Sequence, residues 1–309
     1  LEVALAVFYS FVIFVIITSK RKNFKNPFYT LFLATGFVDV AAIYISIFFR
    51  FIREVGIGPE IKPLVLPFVV ISGITFMGHM VGNMVIALNR YSALCLMKKY
   101  DKIWTRRNVR IIVVLQYFVA FIAVSPLIGA ELLYTSNVGG MYMYAGMDER
   151  SDVINKITAL AFCVTYALVS GGTNIKLLFE WHRLSTLGGS SRYSRQEKSL
   201  LFYALFVFAS SSLMCAQQFT KAYSIYTNND KLKAWVVMQW FWINDVMISI
   251  PPFFMLLLSA DLRIDCANFI LCRSRENGAS VIMVATVHNS ALRKDSNGHL
   301  DRRSVVSTY

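Results

Sequence analysis

Residues 64–95 read LVLPFVVISGITFMGHMVGNMVIALNRYSALC, an apolar run whose single charged residue, Arg90, lies near its end. A helix needs about 20 mainly apolar residues to cross the hydrocarbon core of a bilayer, so this run is long enough to span a membrane. Its length is typical of a transmembrane helix and not of a strand or a surface helix.

Similar runs recur along the whole chain. The predicted spans are residues 1–18, 28–50, 64–96, 109–134, 153–181, 199–226 and 234–259. Of the 309 residues, 56% are apolar and 16% charged, whereas a soluble domain usually has about a quarter charged residues. The composition excludes a soluble enzyme, a disulfide-stapled secreted domain and general disorder. We therefore predict an all-α membrane protein, a seven-transmembrane helix bundle.

The domain organisation follows from where the apolar pattern stops. We expect a seven-helix transmembrane domain at residues 1–273, which ends in a short membrane-surface helix at 260–273. A disordered cytoplasmic tail is expected at 274–309. The first residue is Leu and not Met, so we expect that the chain is a fragment or that its true start is missing.

The basic residues indicate an orientation. Twenty-one of the 31 Lys and Arg residues fall in the loops after spans one, three and five and in the tail, seven fall on the opposite side, and three lie within spans. Lys and Arg near helix ends are retained in the cytoplasm, which predicts an external N-terminus and a cytoplasmic C-terminus. The net charge of +13 is then a topology signal with secondary contact to anionic membrane lipid, and no nucleic-acid partner is expected.

Three classes of seven-helix membrane protein fit this topology: a receptor, a retinal protein and a small-solute transporter. A retinal protein needs a Schiff-base lysine in its last span, and residues 234–259 contain none. A transporter with seven helices remains the alternative, although spans one to three and five to seven show no matching repeat. The sequence indicates no enzyme, no cofactor and no metal site.

The cluster Asn89-Arg90-Tyr91 lies near the cytoplasmic end of span three. An arginine inside a span costs about 2.5–3.5 kcal/mol on insertion scales, so it usually faces a protein interior or a hydrated cleft. We interpret these three residues as a functional site, in which the planar arginine fork holds a neighbouring helix or a partner's backbone carbonyls. The alternative is an Arg90 side chain that only extends to the lipid headgroups.

Two acids lie deep within predicted spans. Asp39 and Asp245 are each about 18 Å from the end of their own helix, which places both near the midplane. We expect them to form a hydrated polar switch with neighbouring side chains, or else a protonated structural network. The predicted members are Asp39, Asn83, Asn244, Asp245, Ser249 and the helix-bending Pro251 and Pro252.

A ligand pocket is expected in the outer half of the bundle, between spans three, five, six and seven. Its candidate residues are Thr75, Phe76, His79, Phe162, Gln217, Gln218, Met238, Gln239 and Trp242. A mostly aromatic lining with few amides fits a small, weakly polar external molecule.

Modification sites are expected on the cytoplasmic side. Cys266 and Cys272 follow the last span and are candidates for palmitoylation, with two reduced thiols as the alternative. Ser304 follows Arg302 and Arg303 and is a candidate phosphorylation site.

Asn89-Arg90-Tyr91 resembles the Asp/Glu-Arg-Tyr motif of rhodopsin-like G-protein-coupled receptors, with Asn in place of the acid. The string from Asn89 to Cys95, the loop 100–104, the entry 26–29 to span two and the pair Pro251-Pro252 resemble nematode serpentine chemoreceptors of the Srg superfamily, nearest to the Srv class. This resemblance implies a chemosensory receptor in the plasma membrane of a sensory neuron. It also implies that a heterotrimeric G protein is the partner and that Asn89, Arg90 and Tyr91 form the site of G-protein coupling.

The sequence departs from the rhodopsin-like pattern at the switching positions. Span seven has Ser249-Ile-Pro251-Pro252-Phe-Phe in place of Asn-Pro-x-x-Tyr, and span six has no Trp-x-Pro motif. The resemblance therefore implies the architecture more firmly than the details of switching.

Overall fold

The computed structural model describes residues 2–56, 59–136, 142–186, 195–227 and 229–271. Its α-helices are α1 (Glu2–Thr18), α2 (Pro27–Val55), α3 (Lys62–Cys95), α4 (Met97–Ile103), α5 (Arg106–Val124), α6 (Glu149–Thr186), α7 (Arg195–Tyr226), α8 (Asp230–Leu258) and α9 (Ala260–Ile270). Short 3-10 helices occupy Lys22–Lys25, Pro59–Ile61 and Ser125–Gly129. The strands β1 (Leu132–Ser136) and β2 (Tyr142–Met147) form an antiparallel pair.

Among the described residues, six helical segments are long and apolar enough to cross a membrane. They are Pro27–Val55, Pro59–Cys95, Arg106–Gly129, Glu149–Arg183, Ser199–Tyr226 and Met238–Leu258. The helix α1 is also apolar but shorter, with 17 residues. At about 1.5 Å per residue α1 rises about 25 Å, near the lower limit for a span. The structure thus has seven apolar helices at the seven predicted spans.

The predicted fourth span ends too late. We predicted a helix over residues 109–134, but α5 ends at Val124 and is followed by the 3-10 helix Ser125–Gly129 and by β1. Pro126 explains this end, because proline has no backbone N–H to donate to the carbonyl one turn before it. Along β1, Leu132 is buried and Leu133 is half exposed, which is the alternation of a strand and not the pattern of a helix.

A second unpredicted element is α4, which lies between α3 and α5 where we expected a loop. The seven residues of α4 are mostly polar, so no apolar run marks them in the sequence. The following residue, Trp104, is buried and its indole Nε1 donates to Ser92 Oγ on α3 at 2.5 Å. This bond holds the turn between α4 and α5 against the end of α3.

Helices α2, α3 and α5 approach closely at Gly82. A Cβ atom there would lie 2.2 Å from Thr35 Oγ1 and 2.6 Å from Gln116 Nε2, distances that real side chains do not reach. Gln116 Nε2 in turn donates to the Gly78 carbonyl at 3.0 Å. The absent side chain therefore fixes how α3, which contains most of the candidate site, packs on its neighbours.

The start of α6 is fixed by Asp148. Its carboxylate accepts from the Ser151 backbone N–H at 3.1 Å and from the Glu131 N–H at 3.0 Å, so it caps the helix and closes the hairpin. Hydrogen bonds from Ser151, first from its side chain and then from its backbone, lower the pKa of Asp148. A lowered pKa means that this stabilisation is present above the ordinary pKa and is lost as the pH falls through the folded-state value.

The chain divides into two compact units, Leu1–Asp265 and Cys266–Tyr309. The first contains the seven apolar helices and the hairpin. In the second, the described residues are 266–271, which include the end of α9. The predicted tail at 274–309 lies outside the described residues, and the membrane-surface placement of residues 260–273 stays a prediction.

Candidate functional site

The most buried polar cluster in the first unit surrounds Asp39 of α2. Its Oδ1 atom lies 2.5 Å from His79 Nδ1 on α3, and its Oδ2 atom accepts from the Tyr9 hydroxyl on α1 at 2.9 Å. Asp39 and Tyr9 are fully buried, and His79 is 2% exposed. A carboxylate that accepts two hydrogen bonds is stabilised in its charged form, which makes its burial tolerable.

The second nitrogen of His79 extends this cluster. Nε2 lies 2.7 Å from Asn83 Nδ2 and 3.4 Å from Ser211 Oγ on α7. With Nδ1–H donating to Asp39, the neutral ring accepts at Nε2 from the Asn83 amide. Asn83 Oδ1 is buried without a partner among the described residues.

Asp245 of α8 belongs to a different cluster. Its Oδ2 atom lies 2.9 Å from Arg50 Nη2, and the same nitrogen lies 3.0 Å from Glu2 Oε1. The Arg50 guanidinium also lies 5.1 Å from the centre of the Phe241 ring. Arg50 thus joins α1, α2 and α8 through two carboxylates and an aromatic face.

The expectation that Asp39 and Asp245 share one polar site is wrong. Asp39 and Arg50 are separated on α2 by a helical rise of about 16 Å, and Asp245 pairs with Arg50. We expected α2 to end at Arg50 and a loop to follow, whereas the helix continues to Val55. The longer α2 presents Arg50 inward as a partner for the acid.

The remaining predicted switch residues have local roles or partners on α2. Asn244 Nδ2 donates to Ser46 Oγ at 3.2 Å, and the Ser249 hydroxyl donates to the Val246 carbonyl of its own helix at 3.1 Å. Pro251 and Pro252 are buried within α8 and remove two backbone donors from it. The bending of α8 at these prolines stays a prediction.

Arg90 lies near the end of α3, half-buried, beside the fully buried Asn89. Its Nη2 atom donates to Asn89 Oδ1 at 2.7 Å, and its Cζ atom lies 4.2 Å from the centre of the Phe28 ring at the start of α2. The Asn89 amide donates to the Tyr100 hydroxyl of α4 at 3.3 Å. Tyr91, the third residue of the motif, is half-buried. The contacts of Arg90 thus include an amide oxygen and an aromatic face.

The structure does not gather the nine predicted pocket residues into one cluster. Thr75 is buried and donates to the Ser72 carbonyl, His79 belongs to the Asp39 cluster, and Phe76 and Phe162 pack on one apolar core around Met77 and Ala120. Gln217 is buried and donates to the Val236 carbonyl at 3.2 Å. Gln218 is half-buried and its amide contacts Met214 Sδ.

Met238 and Trp242 lie on the outer face of α8, 67% and 48% exposed. Helical geometry explains this position. Val236 and Ile243 are seven residues apart and lie on the buried face of α8. Met238 and Trp242 lie about 200–240° around the helix axis from Val236, so they lie on the other side of the helix. Gln239 is half-buried and accepts a hydrogen bond from the Trp242 indole. Of the nine candidates, these two therefore do not face the bundle interior.

Comparison with known proteins gives a family. Residues 1–272 match the family described as serpentine type 7TM GPCR chemoreceptor Srv. The chain belongs to this family. A search of curated proteins gives no significant match. The membership confirms the predicted resemblance and, with the seven apolar helices, the predicted all-α seven-helix membrane fold.

The Srv family is a receptor family and not an enzyme family, so this chain is a multi-pass membrane chemoreceptor. Its Asn89-Arg90-Tyr91 cluster and its Asp39 cluster both lie within the matched residues. The family match ends at residue 272, just after the end of α9 at Ile270.

In this Srv chemoreceptor, seven residues of the two polar clusters and of the Arg90 site were not found by sequence reasoning. They are Tyr9, Ser211, Glu2, Arg50, Phe241, Phe28 and Tyr100. Arg50 offered a signal, since a charge next to an apolar run usually has a buried partner. Tyr9 offered none, because a tyrosine in an apolar run does not reveal which way it faces.

Of the predicted modification sites in the Srv chain, Cys266 lies on α9 and has a buried side chain. Cys272 and Ser304 lie outside the described residues. Palmitoylation and phosphorylation at these positions stay predictions.

Proposed function

We propose that this Srv-family chemoreceptor binds an external small molecule and activates a heterotrimeric G protein, in the plasma membrane of a sensory neuron. The observation that supports this best is the position of Arg90. It lies near the end of α3, adjoins the segment with the densest positive charge, and is held there by Asn89 and Phe28. A guanidinium in this position can exchange an amide oxygen for the backbone carbonyls of a partner.

The residue at position 89 matters for the energetics of switching. A carboxylate there would add the attraction between two opposite charges to its hydrogen bond with Arg90. The Asn89 amide oxygen accepts the hydrogen bond from Arg90 without that attraction. Release of Arg90 toward a G protein therefore needs less free energy with Asn89 than it would with an acid at the same position.

The Asp39 cluster supplies a physical link between the half of the bundle proposed to bind the ligand and the half that contains Arg90. It connects α1, α2, α3 and α7 through Tyr9, Asp39, His79 and Ser211. The same helix α3 carries Thr75 on one side of His79 along the chain and Arg90 on the other. A ligand that shifts α3 against α7 would therefore change the contacts of His79 and the exposure of Arg90 together.

For the ligand itself, the buried candidates support a small molecule with one or two polar groups. Gln217 Oε1 is buried without a partner among the described residues. Such an oxygen can accept one hydrogen bond from a ligand, while Phe76 and Phe162 supply apolar surface. Met238 and Trp242, which face outward, are not part of this proposed pocket.

The experiment is a screen of small volatile and water-soluble molecules on cells that express the full chain with a promiscuous G protein, with intracellular calcium as the readout. Ligands that raise calcium are then tested on Arg90→Ala and on the control Lys20→Ala, an exposed cation between α1 and α2. We expect Arg90→Ala to lose at least about 90% of the signal, because it removes the group proposed to meet the G protein. Lys20→Ala should keep most of the signal.

Ligand binding by Arg90→Ala should stay within about threefold of the wild type, because the pocket and Arg90 lie at different positions along α3. Normal signalling by Arg90→Ala at equal surface expression would contradict the proposed role of Arg90. Accumulation of labelled ligand in cells without any G-protein requirement would instead support the transporter.

A further inference from the structure

A dense basic surface lies on α4 and the first turns of α5. It consists of Lys98, Lys99, Lys102, Arg106, Arg107 and Arg110, all of them exposed. Between residues 98 and 110 the single acid is Asp101, so this segment has a net charge of +5. We call these six residues the basic surface.

The basic surface has no ion-pair partner in the part of the chain that the structure describes. Like charges this close repel one another at separations below the Debye length of about 8 Å. The surrounding structure nevertheless fixes their positions, because Trp104 is bonded to Ser92 and Thr105 caps α5 by accepting from the Asn108 N–H. A surface that is rigid and cationic suits an anionic partner.

An apolar groove begins where the basic surface ends. Arg110, Ile111, Val114 and Leu115 line this groove, which has a volume of about 250 Å³. Ile111, Val114 and Leu115 are 48%, 65% and 50% exposed. Residues four and seven apart share a helix face, so Ile111 and Val114 lie on the same face of α5 as Arg107, one and two turns further along the helix.

We propose that the basic surface and this groove together bind a polyanionic phospholipid whose headgroup carries phosphomonoester groups. The arginine forks suit phosphate oxygens, which they can contact with two parallel hydrogen bonds each. Clusters of four to eight Lys and Arg residues beside a transmembrane helix attract such headgroups from the adjoining leaflet. An acyl chain of the same lipid lies along Ile111, Val114 and Leu115, which distinguishes a lipid from a free phosphate.

The charge of the basic surface favours a multivalent headgroup over phosphatidylserine. A single serine headgroup offers one net negative charge to a segment of net charge +5. A headgroup with two phosphomonoesters offers several charges within the spacing of three arginines on neighbouring turns. The bound lipid also holds α4, whose Tyr100 contacts Asn89, against the end of α3. This inference goes beyond ligand binding and G-protein activation.

The test uses the purified full-length chain in detergent, titrated with phosphatidylinositol bisphosphate and followed by native mass spectrometry. The variant is Arg107→Gln with Arg110→Gln, and the control is Lys20→Gln with Lys25→Gln, which removes the same charge from exposed residues between α1 and α2. Each surface cation contributes enough that losing two should weaken binding about tenfold or more. The control pair should change binding by less than about threefold.

Two further ligands separate the sources of affinity. Phosphatidylserine and the free headgroup inositol trisphosphate should each bind at least about tenfold more weakly than the bisphosphate lipid, the first for want of charge and the second for want of an acyl chain. With the bisphosphate lipid bound, amide hydrogen exchange over residues 97–103 should slow in the wild type and not in the arginine variant.

Three outcomes would overturn the proposal. Equal weakening by the lysine control would show a diffuse field of charge and not a site. Equal binding of phosphatidylserine would remove the phosphomonoester requirement. Equal binding of inositol trisphosphate would show that the groove contributes nothing and that the site accepts a soluble phosphate.

Discussion

Individual residues decide the polar chemistry of this receptor, and Asp39 is the strongest case. It is fully buried and accepts hydrogen bonds from both His79 Nδ1–H and the Tyr9 hydroxyl. Each donor comes from a different helix, so the carboxylate joins α1 and α3 to α2. Leaving a buried hydrogen-bonding group without its partner typically costs about 1–3 kcal/mol, which is a large effect for a point mutation.

Asp39→Asn is therefore expected to destabilise the receptor. The substitution keeps the shape but places an amide N–H₂ opposite one of two donors, so a buried hydrogen bond is lost with the charge. We expect the midpoint of thermal unfolding in detergent, followed by circular dichroism, to fall by about 5 °C or more. Ser249→Ala is the matched control, since its hydroxyl bonds only to the Val246 carbonyl among the described residues. Equal midpoints for the two variants would show that the Asp39 carboxylate contributes no such stabilisation.

For single residues, the sequence indicated which polar side chains lie inside the bundle better than it indicated which groups they contact. Asp39, Asn83 and His79 were each singled out, yet His79 was placed in the ligand pocket and Asp245 beside Asp39. Depth along a helix follows from counting residues, whereas rotation about the helix axis does not. A rotation of one residue, about 100°, moves a side chain from one neighbour to another.

Among the elements, the contact between the first connection and α9 shows how short segments are positioned. Arg21 Nη1 lies 2.5 Å from Asp261 Oδ1, and Arg21 Nε lies 2.8 Å from Asp265 Oδ1. Asn23 and Ser19 donate to the same two carboxylates, at 2.9 and 2.6 Å. Asp261 and Asp265 are one helical turn apart, so a single arginine can bind both.

Arg21→Gln should loosen the first turns of α9. A single exposed ion pair contributes about 0–1 kcal/mol, but here one guanidinium contacts two partly buried carboxylates in a network of five side chains. We expect amide hydrogen exchange over residues 260–265 to accelerate about fivefold or more. Lys25→Gln, which removes an exposed charge nearby, should leave this exchange unchanged.

A chain with three substitutions makes the test specific. Adding Asp261→Asn and Asp265→Asn to Arg21→Gln should accelerate exchange little further, because the residues act as one network. Fully additive effects would show that Arg21 does not act through these carboxylates.

The elements that the sequence predicted and those that it missed differ in a physical way. The seven apolar helices were predicted because a span must be apolar over about 20 residues in any context. The helix α4 and the hairpin of β1 and β2 were missed, because their formation depends on tertiary contacts such as that of Trp104 with Ser92. The ends of α2 and α5 were misplaced because hydropathy falls gradually, whereas a helix ends at a glycine or a proline.

On the scale of the whole molecule, the distribution of charge predicts how the receptor is inserted. The loops after the first, third and fifth spans and the tail contain 21 basic residues, against seven on the other side. The basic surface on α4 and α5 belongs to the richer side. The proposals for Arg90 and for the phospholipid both place that side in the cytoplasm, where anionic lipids and G proteins are found.

This orientation is tested by epitope insertion in intact cells. An epitope within residues 137–141, between β1 and β2, should be stained without permeabilisation, and one at the C-terminus should be stained only after it. An epitope within residues 187–194, between α6 and α7, is the control for a basic internal loop and should behave like the C-terminus. The expected pattern follows because each additional Lys or Arg near a helix end opposes its translocation. Staining of the C-terminus on intact cells would place Arg90 outside the cell and would contradict its proposed contact with a G protein.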